Sequence, residues 1–419
     1  MKYLLKNGLI NATKQNLLID GQKIAYVGKD IPPFEEMINI EGKIVLPGLI
    51  DPHVHVRDLG QSEKEDWSSA SRAALRGGIT TIFDMPNNIP PTTHLKNLNL
   101  KREKAKQSLV NYRFNIALTN YNFNEVEEIL NTNPDDIAAL KLFLAGSSNN
   151  EYVFNTGVIK RFFELSRHYS IPIICHSELQ TCIDHYARKY PSPNIFDHNA
   201  IRHRDCAIEG TSMLIEIAKE TGGILYIAHT STAEEIDIIR KNKNEYNIYC
   251  EVTPHHLLLN ENILRSAGNF AKVNPPIRSA YDNQALWEGI NDGTVDVIAT
   301  DHAPHRKAEK LIEYKTAPSG FPGLETLAPL MLHEIYQGKL NIDTFIRLTS
   351  GNASNIFNLH KRGKIEAGYY ADITIVDMNK NWKIEAGDFL SKAKYSPFEA
   401  MTGKGDVIMT FVNGKKYKN

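Results

Sequence analysis

The chain has no excess of either charge, because 48 lysines and arginines face 49 aspartates and glutamates over 419 residues. A basic excess is typical of nucleic-acid binding and an acidic tail of a charged partner, so we predict neither. Apolar runs close to the roughly 20 residues of a membrane span are also missing. The first residues show no apolar core with a small-residue cleavage pattern, which argues against a signal peptide. We therefore expect a cytoplasmic protein that binds no nucleic acid and no membrane.

Cysteine is scarce and dispersed in this sequence. Four copies lie far apart and form no C-x-x-C motif: Cys175, Cys182, Cys206 and Cys250. This spacing suits a reducing compartment and argues against a disulfide scaffold. It also argues against a zinc site built from cysteines.

Both ends of the chain are rich in short alternating strands. Residues 1–47 contain such strands with Asn-Gly and Asp-Gly pairs, which are hairpin signals, and a similar pattern returns after about residue 368. Because chain ends often meet in space, we predict one small β domain composed of residues 1–48 and 359–419.

The middle of the chain, residues 49–358, alternates apolar strands with polar helical segments such as "NTGVIKRFFELSRHY". This βαβα rhythm predicts an α/β domain, and its length suits a (β/α)8 TIM-type barrel with insertions. The alternative is an open doubly wound sheet. No G-x-G-x-x-G follows the first strand to support a dinucleotide-binding version of that fold.

Side chains that can bind metals follow several of the apolar strands. In "DPHVHVRD", His53 and His55 are two residues apart, so in a strand they point to one side, and Arg57 follows them. Other strands end in His176 of "IICHSE", His229 of "YIAHTST" and Asp301 of "IATDHAPH". One histidine at a strand end is more often a structural residue. However, the carboxyl ends of all barrel strands converge on one face, so the whole set predicts a site for zinc or a similar ion.

Lys141 lies among apolar residues in "AALKLFL". Burying an ammonium group is costly, so the pKa of this lysine should fall. The alternative is a lysine that reaches solvent along its apolar stem or pairs with an acid. In the functional interpretation, the neutral amine takes up CO2 and becomes a carbamate, an anionic group that bridges two metal ions. Two ions about 3.5–4 Å apart activate a bridging hydroxide at neutral pH.

A series of motifs runs in order along essentially the whole chain: "DPHVHVRD", "DMPNN", "KLFL", "CHSE", "AHTST", "EVTPHH", "VNPPIRS", "ATDHAPH" and "GFPGLET". In this order they resemble the amidohydrolase superfamily and, within it, the long barrel-type dihydroorotases, including the domain fused into the animal multifunctional pyrimidine enzyme. The resemblance implies a (β/α)8 barrel, a composite β domain, and two Zn2+ per chain bridged by N6-carboxylated Lys141 and hydroxide. One ion would be held by His53, His55, Lys141 and Asp301, and the other by Lys141, His176 and His229.

The resemblance also implies which residues contact the substrate: Arg57, Asn87, Asn274 and His305. Arg57 offers a planar fork that fits a carboxylate, and Asn87 offers both a donor and an acceptor. The alternative for Arg57 is a salt bridge with Asp58 or Glu63. In the animal domain a mobile loop after the lysine carries a threonine. Here that segment reads "AGSSNNEY", so Ser147 or Ser148 would take this role, and the sequence does not decide between them.

The chain departs from the family pattern at two further points. "HVHVRDLG" replaces the commoner "HxHxREPG", which puts the shape of the loop after Arg57 in doubt. Many bacterial long-form relatives have an Asp near the lysine's place and no carbamate, whereas Lys141 stands in the strand here.

The function implied by the resemblance is the reversible cyclisation of N-carbamoyl-L-aspartate to L-dihydroorotate in de novo pyrimidine (UMP) biosynthesis. Asp301 would be the general acid and base. A homodimer and an association with aspartate carbamoyltransferase are implied as well. The first alternative is another cyclic amidase, a hydantoinase, dihydropyrimidinase or allantoinase, most of which lack the arginine at position 57. The second is a non-catalytic barrel, but such barrels typically lose metal ligands and this chain keeps all six.

Overall fold

The computed structural model describes residues 1–132, 134–146 and 152–418, which form two eight-stranded sheets. One sheet is parallel and lies in the middle of the chain, and the other is mixed and combines segments from both ends. The predicted fold class, a (β/α)8 barrel with a composite β domain, is thereby confirmed. The domain boundaries at residues 48 and 358 stay a prediction. Within the described ranges, no helix combines the length and the apolar character needed to cross a bilayer.

The mixed sheet begins with five strands near the amino terminus: β1 (Lys2–Ile10), β2 (Thr13–Asp20), β3 (Lys23–Gly28), β4 (Glu36–Asn39) and β5 (Ile44–Pro47). The barrel strands are β6 (Leu49–Val54), β7 (Ile79–Asp84), β8 (Asn111–Ala117), β9 (Ile137–Phe143), β10 (Ile173–His176), β11 (Leu225–Ile227), β12 (Ile248–Val252) and β13 (Val297–Ile298). The mixed sheet is completed by β14 (Ile373–Lys383), β15 (Thr402–Val412) and β16 (Lys415–Lys418). β14 pairs with β5 in antiparallel register, with Ile375 opposite Val45, and this pairing joins the two chain ends.

Helices connect the barrel strands and cover their outer surface. They are α1 (Trp67–Arg76), α2 (Leu95–Ala105), α3 (Phe123–Asn131), α4 (Thr156–Tyr169), α5 (Gln180–Ala187), α6 (His198–Ile201), α7 (Arg204–Thr221), α8 (Ala233–Asn242), α9 (Pro254–Leu258), α10 (Leu264–Ala267), α11 (Ala280–Asn291), α12 (Lys307–Lys310), α13 (Leu327–Tyr336), α14 (Ile342–Ile346) and α15 (Asn352–Ile356).

The start of α8 shows why a helix begins where it does. Thr232 accepts a hydrogen bond from the backbone N–H of Glu235, and the Glu235 side chain bonds back to the cap, so two free N–H groups are satisfied.

The barrel closes where the end of β6 meets the segment after β13. Val54 pairs with His302 in parallel, and the backbone N–H of His55 donates to the carbonyl of His302 over 2.8 Å. The buried carboxylate of Asp51 accepts from the backbone N–H of Thr300 and of His53, at 3.2 and 3.1 Å. These bonds hold the first and last strands of the barrel side by side, so residues that follow them in sequence become neighbours.

One disulfide differs from the expectation drawn from cysteine spacing. Cys182 of α5 and Cys206 of α7 are joined, whereas Cys175 and Cys250 are buried and free. The two bonded residues are 24 positions apart. Only the packing of α5 against α7 brings their Cα atoms to 5.3 Å, a proximity that sequence spacing does not reveal.

Candidate active site

The six residues predicted to bind metal lie at one end of the barrel. His53 is in β6, Lys141 in β9, and His176 is the last residue of β10. His229 and Asp301 follow β11 and β13 by two and three residues. All six side chains are buried. The carboxyl ends of parallel strands share one rim of a barrel, which is why residues so distant in sequence meet here.

Three of these residues form a compact group of potential ligands. The Nε2 atoms of His53 and His55 each lie 3.3 Å from Oδ1 of Asp301. The ligand atoms of the three residues all lie within 4.8 Å of one another. Burial alone would raise the pKa of Asp301, but the imidazoles of His53, His55 and His229 outweigh it and hold that pKa well below its usual range. The carboxylate is therefore ionised, as a metal ligand must be.

A second pair of nitrogen ligands lies beside the first group. Nδ1 of His176 is 3.1 Å from Nε2 of His229, and the rings of His229 and His53 are 5.3 Å apart. Zinc bonds to nitrogen of about 2.0–2.1 Å in tetrahedral geometry separate two ligand atoms by about 3.3 Å. The two contacts to Oδ1 of Asp301 and the contact between His176 and His229 are close to that value, so these residues fit a divalent metal ion.

Lys141 is the buried polar group that a structural role does not explain. Its side chain is fully buried, and among the described residues its Nζ has no hydrogen-bond partner. Burial lowers the pKa of Lys141 to about 8, partly opposed by the carboxylates of Glu251 and Asp301. About a tenth of the amine is thus neutral at pH 7, and this fraction is able to react with CO2. The alternative of a lysine that reaches solvent does not agree with this burial.

The backbone is strained at three of the predicted site residues. Arg57, His229 and Asp301 have φ angles of 65°, 35° and 47°, a region that side-chain-bearing residues rarely occupy. Such conformations cost on the order of 1–3 kcal/mol each, and they cluster where function requires a particular side-chain position. At His229 the cost is offset by a hydrogen bond, because its backbone N–H donates to Oε1 of Glu251 over 3.0 Å.

Glu251 in β12 contacts two of the predicted ligands, His53 and His229, and was not identified from the sequence. Its carboxylate accepts from Nδ1 of His53, from the hydroxyl of Tyr226 at 2.8 Å and from the backbone of His229. A carboxylate on Nδ1 fixes the ring so that Nε2 faces a metal, and it makes the imidazole a stronger ligand. The sequence offered one signal, a glutamate within the strand pattern that leads into "EVTPHH". The structure shows that this glutamate is fully buried.

Glu251→Gln should weaken zinc binding about 10- to 100-fold while the barrel stays folded, because the amide orients His53 less firmly. Competition with a chelator of known affinity measures the change. Asp296→Asn is the matched control, since Asp296 is a buried carboxylate that bonds Lys243 and the backbone of Cys250 rather than a predicted ligand. An E251Q protein that holds zinc as tightly as the wild type would rule out this role.

Glu178 and Arg202 are two further residues that the sequence analysis passed over. Oε2 of Glu178 lies 3.0 Å from Nε2 of His176 and accepts from Nη2 of Arg202 at 2.6 Å. Although burial opposes it, Arg202 and His176 hold the pKa of Glu178 well below its usual range. Glu178 therefore presents Nδ1 of His176 to the site. The signal in "CHSE" was an acid two residues after a histidine, on the same side of an extended chain.

The predicted substrate residues divide into two sets. Arg57 and His305 meet at the edge of the site: Nε of Arg57 donates to the carbonyl of Pro304 at 3.3 Å, and Nη2 lies 3.4 Å from Nε2 of His305. Burial lowers the pKa of Arg57 to about 10, so its guanidinium is charged at neutral pH. Burial, with Arg57 nearby, lowers the pKa of His305 well below its usual value, so that this imidazole is neutral.

Asn87 and Asn274 each contact other side chains of the site, and their contact with substrate stays a prediction. The Oδ1 of Asn87 accepts from Nδ1 of His55 over 2.7 Å, so its acceptor orients a predicted ligand, and only its buried Nδ2 lacks a partner among the described residues. In the amide orientation that satisfies its neighbours, Asn274 lies 3.3 Å from Nη1 of Arg202 and 3.1 Å from Oγ of Ser319. Ser147 and Ser148 lie outside the described residues.

A cavity of about 390 Å3 opens onto these groups. Its lining includes the predicted ligands and four cationic side chains from different parts of the fold: Arg57, Arg202, Lys272 and Lys315. A cavity with this charge favours a small anionic ligand. Its volume is within the usual range for small-molecule sites.

Comparison with known proteins gives a consistent result. A model of the amidohydrolase family matches residues 44–416. A dihydroorotase from Methanosphaera stadtmanae is 34% identical over 409 residues, which is 95% of this chain and 92% of the relative. One from Carboxydothermus hydrogenoformans is 34% identical and covers 99% of this chain and 97% of its own length. Among solved structures, an L-hydantoinase (dihydropyrimidinase) from Arthrobacter aurescens superimposes with a TM-score of 0.95 at 26% identity, covering 100% of this chain and 96% of that one.

Proposed function

The chain belongs to the amidohydrolase family and, within it, to the dihydroorotases, and from this premise we propose that it interconverts N-carbamoyl-L-aspartate and L-dihydroorotate in pyrimidine biosynthesis. The observation that supports the proposal is the buried guanidinium of Arg57, which lines the same pocket as the predicted metal ligands. Dihydroorotate has a carboxylate outside its scissile ring amide. A planar guanidinium is the side chain best suited to bind that group.

The proposed metal assignment follows the two groups of ligands. His53, His55 and Asp301 would hold one Zn2+, His176 and His229 the other, and N6-carboxylated Lys141 would serve both. When bound, such ions supply Lewis acidity, which polarises an amide carbonyl and lowers the pKa of water. The nitrogen-rich donor set favours zinc over magnesium or calcium.

Carboxylation of Lys141 requires no group beyond CO2 and the lysine itself. The neutral amine attacks the carbon of CO2, a C–N bond forms as one C–O π bond breaks, and one proton is released to solvent, so that a neutral amine becomes an anion. The buried position favours this product once positive ions lie beside it, because an isolated ammonium there has no partner among the described residues.

Asp301 would carry the proton in both directions. In ring opening it accepts the proton that the attacking water releases, and it delivers that proton to the ring nitrogen as the C–N bond breaks. In ring closure it takes the proton from the ureido nitrogen as that nitrogen attacks the side-chain carboxyl. It passes this proton to the carboxyl oxygen that departs, which leaves as hydroxide and takes a second proton from solvent to become water. The low pKa of Asp301 leaves its carboxylate ionised, which is the form in which it can accept a proton.

Arg57→Ala should lower kcat/KM for dihydroorotate about a hundredfold, mainly through KM, because a charged contact to the substrate carboxylate is lost. The effect should be absent for dihydrouracil, which has no carboxylate. Steady-state kinetics on dihydroorotate, dihydrouracil, hydantoin and allantoin test both statements at once.

The same panel decides between the proposed function and the other cyclic amidases. Solved structures similar to this chain include hydantoinases, so hydantoin is the informative competitor. A wild-type protein that opens hydantoin or dihydrouracil faster than dihydroorotate, or an R57A protein with unchanged kinetics on dihydroorotate, would overturn the assignment.

We also propose, on the family resemblance, that the protein forms a homodimer in the cytoplasm and associates with aspartate carbamoyltransferase. That enzyme makes N-carbamoyl-L-aspartate, so the two would handle successive steps. Light scattering of the purified protein, alone and mixed with the transferase, tests both assemblies.

A further inference from the structure

Arg202 lies across the barrel mouth from the arginine already assigned to the substrate. Arg57 follows β6, whereas Arg202 is held against the end of β10 through Glu178. β6 and β10 are four places apart in the eight-stranded order, so they occupy opposite sides of the closed barrel. Both guanidiniums line the same cavity.

The Arg202 side chain is held firmly. Nε and Nη2 donate to Oε2 of Glu178 over 2.9 and 2.6 Å. The backbone carbonyl of Arg202 accepts from Nη1 of Arg278 over 2.7 Å. These bonds use one edge of the guanidinium. On the other side, Nη1 donates one N–H to the amide oxygen of Asn274 over 3.3 Å and carries a second N–H. A preorganised donor of this kind binds a ligand with little loss of side-chain entropy.

A row of polar residues, His305, Ser319 and Asn274, links Arg57 to Arg202. Nε2 of His305, which touches Arg57, donates to the carbonyl of Ser319 over 3.0 Å, and Oγ of Ser319 lies 3.1 Å from the amide of Asn274. Asn274 in turn contacts Arg202. A ligand that fills the cavity can therefore contact both guanidiniums and the proposed metal ligands, because all of them line it.

We propose that Arg202 is a specificity-determining residue whose Nη1 donates to the ureido oxygen of the substrate, the C2 oxygen of the dihydroorotate ring. This inference rests on the proposed function. Dihydroorotate has two strong acceptor groups besides the amide that reacts: the carboxylate assigned to Arg57, and the C2 carbonyl. When the ring C–N bond breaks, negative charge on the leaving nitrogen spreads onto the C2 oxygen. A donor there stabilises that charge until Asp301 delivers the proton to nitrogen.

The test compares dihydroorotate with its analogue in which sulfur replaces the C2 oxygen. Sulfur accepts hydrogen bonds weakly, so the ratio of the two kcat/KM values reports on the contact to that atom. We call kcat/KM for dihydroorotate divided by kcat/KM for the sulfur analogue the oxygen-to-sulfur ratio. We expect this ratio for Arg202→Met to be at least about tenfold smaller than that of the wild type. Arg202→Lys, which keeps a cation, should give a ratio between those two.

Two controls separate recognition from a merely structural effect. Arg57→Met should slow both substrates and leave the oxygen-to-sulfur ratio within about twofold of the wild type, because its partner is the carboxylate. Asp296→Asn should leave both rates and their ratio close to the wild type, because Asp296 bonds Lys243 and the backbone of Cys250 and does not line the cavity. Where turnover of a variant is too slow, calorimetric dissociation constants for the two compounds on zinc-loaded protein supply the same ratio.

The outcomes are distinct. If the wild type turns over dihydroorotate but R202M and R202K retain its oxygen-to-sulfur ratio, Arg202 does not contact the ureido oxygen and the inference fails alone. If the wild type does not turn over dihydroorotate, the proposed function fails and this inference fails with it. A ratio that falls in R202M and stays unchanged in R57M supports it.

Discussion

Asp301→Asn should lower kcat for dihydroorotate by at least about a thousandfold without unfolding the protein, because proton transfer by a positioned carboxylate contributes about a hundred- to ten-thousandfold and the amide also binds metal more weakly. The change is nearly isosteric. The buried Oδ1 of Asp301 contacts two imidazoles rather than the hydrophobic core, so the melting temperature should change little. Single-turnover kinetics on zinc-loaded protein, with metal content measured on the same sample, give the result.

A matched control for D301N is Asp282→Asn. Asp282 is equally buried, but it caps α11 and pairs with Arg204, away from the cavity. We expect D282N to lower thermal stability and to leave kcat unchanged. If D301N keeps more than about a tenth of the wild-type kcat with its full metal content, Asp301 is not the proton carrier.

Lys141→Met should remove nearly all activity and leave fewer than two zinc ions bound per chain, because the thioether cannot form a carbamate. Methionine fills a similar volume, so the fully buried strand position keeps its packing. Zinc stoichiometry by mass spectrometry, together with turnover, measures both effects.

Lys141→Glu provides the contrast, because it places a permanent carboxylate in the strand without CO2. We expect K141E to bind more zinc than K141M. Zinc loading of the wild type should fall when bicarbonate and CO2 are removed from the buffer, and that of K141E should not. Equal loading of K141M and wild type, or wild-type loading that ignores bicarbonate, would show that Lys141 serves another purpose.

The polar residues at the strand ends were predictable because the geometry that assembles them is general. Any α/β barrel brings the carboxyl ends of its strands to one rim, so His53, His176 and Asp301 could be grouped without coordinates. Lys141 could be identified as a candidate site residue for a related reason. Burying an ammonium group in an apolar strand is costly, so a lysine in that position indicates a role beyond packing. The composite β domain followed from the similar strand patterns at the two chain ends.

The residues that orient these groups were not predictable in the same way. Glu251 and Glu178 act across strands and loops, and their partners are defined by the rotation of each side chain rather than by spacing in the sequence. Asn87 shows the limit clearly, because its motif indicated a substrate contact but its oxygen is bonded to His55. The Cys182–Cys206 disulfide depended likewise on how α5 and α7 pack.

Anomalous X-ray scattering at the zinc edge, from crystals grown with zinc and bicarbonate, would test the two-ion assignment in a single measurement. We predict two anomalous peaks about 3.5–4 Å apart, one among His53, His55 and Asp301 and the other between His176 and His229. The electron-density map from the same crystals should show added density on Nζ of Lys141 that reaches both peaks. A single peak, or two peaks with an unmodified lysine between them, would contradict the proposed centre.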